Sequence, residues 1–88
     1  LAGEVRDAVW RLQAAQIERA LQQTRLDGAR AIEADVLRRQ RGGDLARADL
    51  WLSQGETRAA QAALIEARAR EDEARLALAA LTGVETPL

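Results

Sequence analysis

The sequence predicts an all-α fold, a long antiparallel two-helix hairpin of coiled-coil type with helices over about residues 3–41 and 44–82. Three observations predict it. Ala, Leu, Arg, Glu and Gln dominate the 88 residues, which is the composition of long helices. The only strong turn signal, Gly42-Gly43, falls near the middle and leaves two arms with no Pro in either. Within those arms apolar residues recur at alternating steps of three and four, the spacing of a helix-packing seam.

The first arm runs from about Gly3 to Arg41 with one internal glycine, Gly28. It carries Val5, Val9 and Leu12 on one line and Trp10, Ala14, Ile17, Leu21, Thr24, Gly28 and Ala31 on another. Asp27-Gly28 is a common turn dipeptide and offers a rival three-helix bundle. The apolar spacing runs straight through it, and no second turn residue accompanies it, which favours one unbroken arm. The turn is expected at 42–44, with Asp44 as N-cap of the second helix. The second arm shows a heptad seam of Thr57, Ala60, Leu64, Ala67, Glu71, Ala74, Leu78 and Leu81, interrupted only by Glu71. A second line follows the same steps on another face: Leu45, Ala48, Leu52, Gly55, Ala59, Ala62, Glu66, Ala69, Glu73, Leu76 and Ala80. Gly83 reads as the C-terminal cap, and 84–88, with Pro87, as an irregular tail.

The apolar inventory is thin for a self-sufficient domain. Twenty residues are Ala and thirteen Leu, against four Val, three Ile, two Trp and no Phe, Tyr or Met. At roughly 25 cal/mol per Å² the small Ala side chains supply little core, and a short chain hides little of its surface. One helix paired with one neighbour needs one seam, so two seams per helix imply two neighbours, held close by Ala and Gly. The chain, residues 1–88, is therefore expected to be a single hairpin, a piece of a larger protein. Isolated, it is expected to self-associate as an antiparallel four-helix dimer. A turn centred near Gly43 gives facing residues whose numbers add to about 85–87, placing Gly28 by Ala59, Ile32 by Gly55 and Trp51 by Val36. Asp35 with Arg39, Glu66 with Arg70, and Glu71 with Arg75 are acid-before-base pairs four apart, expected on solvated helix surface.

Little chemistry is available, and the inventory argues against an enzyme. There is no His, Cys, Lys or Tyr, and the one Ser, Ser53, has no imidazole or amine to activate it. Zn-type ligands are missing, and Glu71-Asp72-Glu73 fans around a helix so that it reads as a solvated face; no cofactor or metal is expected. Gly42-Gly43 lacks the strand and Lys of a phosphate loop. A net charge of −1 gives no reason to expect a nucleic-acid partner. No apolar run reaches the ~18 residues of a membrane span. The turn is the exception to this blandness. Arg38, Arg39, Arg41 and Arg47 against Asp44 make a local +3, followed by Leu45, Leu50 and Trp51. Helix-end electrostatics accounts for the first three Arg but not for Arg47, at the start of the second helix.

The segment Arg39-Gln-Arg-Gly-Gly43-Asp-Leu-Ala-Arg-Ala-Asp49-Leu50 resembles the turn of the TolC-like outer-membrane efflux family, which has an Arg, a Gly four residues on, and an Asp followed by an aliphatic residue about six further. Glu4-Val5-x-x-Ala8-Val9-Trp10 resembles the opening of that family's long helix, and Leu81-Thr82-Gly83 the close of the returning one. The likeness spans about residues 4–83; it departs at Gln40, where the family often has an aromatic or aliphatic residue. The resemblance implies a periplasmic hairpin of an outer-membrane protein from a Gram-negative bacterium, a homotrimer in which each protomer contributes two such hairpins to an α-helical tunnel. It implies that the turn is a tip docking a periplasmic adaptor protein linked to an inner-membrane pump. Carried onto this chain, the tip contacts are Arg39, Gly43, Leu45, Ala46, Asp49 and Leu50. The alternatives are a hairpin of a periplasmic adaptor, disfavoured because no β-branched run flanks residues 5–83, and a cytoplasmic coiled-coil scaffold or dimerisation hairpin.

Overall fold

A computed structural model describes residues 2–83 as two helices, α1 (Ala2–Arg41) and α2 (Arg47–Thr82), packed side by side along their whole length. The described residues are 93% helical, without a strand. The principal extents are 63 × 21 × 14 Å, a slab two helices wide and one helix thick. Forty residues of α1 at about 1.5 Å each account for the long dimension. The expected hairpin is thus the fold, and Asp27-Gly28 does not break α1, which continues through both residues. The expected tail at 84–88 lies outside the described residues.

The seam expected for the second arm is the buried face of α2. Thr57, Ala60, Leu64, Ala67 and Glu71 are buried, and the seam extends upward through Ser53. Its hydroxyls satisfy themselves locally: Ser53 Oγ donates to the Leu50 carbonyl at 2.8 Å and Thr57 Oγ1 to that of Ser53 at 3.1 Å. The facing line of α1 keeps Val5 and Leu12 of the shorter expected line and continues along a different set of residues. It runs Val5, Ala8, Leu12, Ala15, Arg19, Gln22, Leu26, Ala29, Glu33, Val36 and Gln40, all buried or half-buried. Val9, expected on this line, lies off it and is exposed. At the centre Leu26 packs with Ala60 and Leu64, and Ala29 closes on that cluster.

The turn is longer than expected, five residues (42–46) instead of three, and α2 starts at Arg47 instead of residue 44. Hydrogen bonding explains the difference. Gly43 N–H donates to the Gln40 carbonyl at 3.1 Å and Asp44 N–H to that of Arg39 at 2.9 Å, the paired bonds of a Schellman closure. Gly43 takes the left-handed position that motif needs, with φ +83°. Asp44 is thereby committed to ending α1 and is not the N-cap. That place falls to Ala46, extended at φ −73°, ψ 154°, with no side-chain cap bond. Gly83 does cap α2, at φ 71°, its N–H donating to the Ala79 carbonyl at 2.8 Å.

The longer turn also shifts the register. Arg19 reaches Glu71 and Arg68 reaches Gln23, pairs whose numbers add to 90 and 91, a few beyond the expected 85–87. Gly28, Ile32, Gly55, Ala59 and Trp51 are all exposed, so the expected facing pairs Gly28–Ala59, Ile32–Gly55 and Trp51–Val36 do not form across the seam.

Candidate functional site: the tip and the two long edges

The tip is built by the Schellman closure and the bare start of α2. Arg39 is exposed, and its Nε holds Asp35 Oδ2 at 3.1 Å. Arg38 binds the other oxygen of Asp35 at 3.2 Å, so one carboxylate is shared by two of the four tip cations and offsets one unit of their charge. Both Arg, with Arg41, stand in the last turn of α1, where the helix dipole favours them. Arg41 and Arg47 are exposed, and no carboxylate among the described residues lies within 4.0 Å of either. Of the six expected contact residues, Arg39, Gly43, Ala46 and Asp49 are exposed at the end of the slab. Leu45 and Leu50 are half-buried, Leu50 as the last rung of the α2 seam. Nothing lies within 4 Å of a Cβ added at Gly43, so its lack of a side chain is required by its φ and leaves open space above it.

The second line of each helix is exposed along its whole length. On α1 this is Trp10 to Ala31, and on α2 Ala48 to Ala80. The contrast among aliphatic side chains is sharp: Leu26 and Leu64 in the seam are 3% and 4% exposed, whereas Ile17 and Leu52 on the outer lines are 71% and 70% exposed. In α1 the outer line is the less polar of the two. From Trp10 to Ala31 it carries no charge, while the inner line holds Arg19, Gln22 and Glu33. With a 3.5-residue period each step turns about 103°, which puts the midline of the outer row about 155° around the helix from the midline of the seam. The same offset holds in α2. The outer rows, apolar but for Glu66 and Glu73 in α2, therefore form the two long edges of the slab.

Sequence reasoning missed the inner row of α1 and the ion cluster at its centre. Glu71 is buried, and its two oxygens are taken by Arg19 Nε at 2.6 Å across the seam and by Arg75 Nη2 at 3.0 Å along α2. The reading of Glu71, and of its pair with Arg75, as solvated surface is corrected by this. The carboxylate sits at a seam position, where a neighbouring helix covers it and two guanidiniums replace water. Asp35–Arg39 forms on the exposed surface as expected, whereas Glu66 and Arg70 make no ion pair. Beside the cluster, Gln22 Nε2 donates to Glu18 Oε1 at 2.9 Å while its own Oε1 is buried without a partner. The signal for the inner row was present in Val5, Ala8, Leu12 and Ala15, but polar residues at 19, 22 and 33 hide its continuation.

Among the described residues no group of three or more His, Cys, Asp or Glu could hold a metal ion, and no helix is long and apolar enough to cross a membrane. The chain matches no protein-family model, and no curated protein or solved structure matches it.

Proposed function

We propose that this hairpin is a wall segment of a periplasmic α-helical tunnel in a trimeric outer-membrane efflux channel, with the turn as docking tip for a periplasmic adaptor of a tripartite export system. The observation that carries the reading is the pair of opposed packing rows on each helix. A helix with an inner seam and an equally regular outer row, uncharged in α1 and interrupted only by Glu66 and Glu73 in α2, is suited to two neighbours. The angle between the rows matters as well. Three protomers with two hairpins each make a ring of twelve helices, in which each helix meets its neighbours about 150° apart, close to the roughly 155° derived from the heptad spacing.

The tip supports the docking part of the reading. The start of α2 uses Ala46, a poor capping residue, where Ser or Asp would stabilise the helix by about 1 kcal/mol. A local rule broken at an exposed helix start is what a contact surface needing a small side chain produces. Gly43 and Ala46 admit close approach of adaptor helices, and Leu45 and Leu50 offer apolar contact at the rim. The chemistry is passive: wall and docking, with substrate choice left to the pump.

The test is made in the parent protein. Gly43→Leu with Ala46→Leu should abolish export while trimer abundance stays at the wild-type level. Unchanged export, or loss of the trimer itself, contradicts the docking role.

A further inference from the structure

The two broad faces of the slab differ in charge, and neither the seam nor the edges use this difference. One face is formed by two rows that flank the seam on the same side, and the hydrogen bond from Arg68 Nη2 to Gln23 Oε1 at 3.2 Å bridges them. Its α1 row contributes Arg6, Arg30 and Arg41. Its α2 row contributes Arg47, Arg58, Arg68 and Arg75. Against these seven Arg stand only Asp27 and Asp72, a net +5 on a chain whose total is −1. No Glu of the described helices falls on these rows. The opposite face, whose shallow grooves are lined by Glu4, Asp7, Glu18, Glu56 and Glu73 against Arg11, Arg25 and Arg70, carries both signs with acid in excess.

The cations on the basic face are mostly free. Arg75 holds Glu71 and Asp72, and Arg68 holds the Gln23 amide. Arg6, Arg30, Arg41, Arg47 and Arg58 have no carboxylate within 4.0 Å among the described residues. Between the two rows runs a furrow floored by half-buried Gln16, Gln23, Leu37 and Gln54. On its α2 rim Trp51 and Ile65 are 63% and 67% exposed, two heptads or about 21 Å apart. Each stands one helical turn or two from a free Arg.

We propose that this face seats an acidic amphipathic helix of a partner protein, lying along the furrow with carboxylates toward the Arg rows and apolar side chains on Leu37, Trp51 and Ile65. The periodicity selects a helix. Cations and apolar anchors alternate at the spacing of a helix, so a second helix offers carboxylates and apolar groups in the same rhythm. A nucleic acid or an anionic glycan supplies charge without apolar side chains at that interval. A bilayer needs more apolar anchors than two. Guanidinium is suited to this work because it grips a carboxylate through two parallel N–H donors. The proposal is independent of the tunnel reading, since edge-to-edge packing leaves both broad faces uncovered.

The probe is a synthetic amphipathic helix about four heptads long, with Leu on one stripe and Glu on its flanks, titrated into the full 88-residue chain by calorimetry. The expected result is binding at about 50 mM salt that weakens about tenfold by 300 mM, as screening predicts for a charge-steered complex. Arg58→Glu with Arg68→Glu should abolish it. Arg25→Glu with Arg70→Glu, the same charge change on the opposite face, should leave it within about twofold, and circular dichroism should show both variants as helical as the parent. Heparin and phosphatidylglycerol vesicles should bind more weakly than the peptide. No binding of the peptide, equal loss in both variants, or tighter binding of heparin or vesicles each overturns the proposal.

Discussion

A carboxylate set in a packing seam must find cations or give up its charge, and Glu71 finds two. Arg19 comes from the facing helix and Arg75 from the next turn of its own, so both oxygens are bonded although only 9% of the side chain remains exposed. The cluster is also the one ion pair between the helices among the described residues, and it marks the register of an Ala-rich seam that would otherwise tolerate sliding by a heptad. Glu71→Ala should destabilise the hairpin by about 1–2 kcal/mol, less than a fully buried pair because Arg19 is 38% exposed and can turn to water. Replacing both partners, Arg19→Leu with Glu71→Leu, should be neutral or stabilising, because apolar seam residues avoid the desolvation cost. Denaturant unfolding followed by circular dichroism measures both. A double variant less stable than Glu71→Ala alone would show that the pair adds net stability beyond what packing replaces.

At the scale of the helices, glycine separates what the turn needs from what the edges need. Gly43 holds α1's closure at φ +83°, so Gly43→Ala should cost about 1 kcal/mol or more. Gly28 and Gly55 lie inside straight helix, exposed, with nothing within 4 Å of an added Cβ. Ala at both should stabilise the isolated hairpin by about 0.5–1 kcal/mol each, measured by thermal unfolding. That each helix retains a weak helix former on its outer row fits an edge kept flat for close approach. These elements were also unevenly legible in the sequence. The α2 seam was readable down to Glu71, because Thr57, Ala60, Leu64, Ala67 and Leu78 leave its period intact. The turn was legible as a Gly pair, but not its length, since the Schellman bond of Asp44 cannot be inferred from residue types alone. The α1 seam was hidden because it holds the polar residues Arg19, Gln22 and Glu33, and the partner that lets Arg19 stand there, Glu71, lies 52 positions away, while the uncharged row from Trp10 to Ala31 drew the reading outward. At the tip, the exposure of Arg39, Gly43, Ala46 and Asp49 followed from a turn at that place, whereas the seam role of Leu50 needed the register.

As a whole, the molecule is a slab one helix thick whose two long edges are as regular as its interior. Its buried apolar core amounts to Ala8, Leu26, Ala60, Leu64 and Ala67, three of them Ala, while Trp10, Ile17, Leu21, Leu52 and Leu76 stand exposed on the edges. In the proposed assembly, a chain with so small a core and so much ordered apolar edge would gain stability from further copies or further hairpins. The central claim, that the outer rows are packing surfaces, is tested most directly by sedimentation equilibrium of the chain and of an edge variant, Ile17→Glu with Leu21→Glu and Leu76→Glu. The account predicts that the parent chain self-associates, to a dimer at least, and that the variant sediments as a monomer with its helix content retained. A parent chain that stays monomeric up to about millimolar concentration, where even weak association shows, would contradict it.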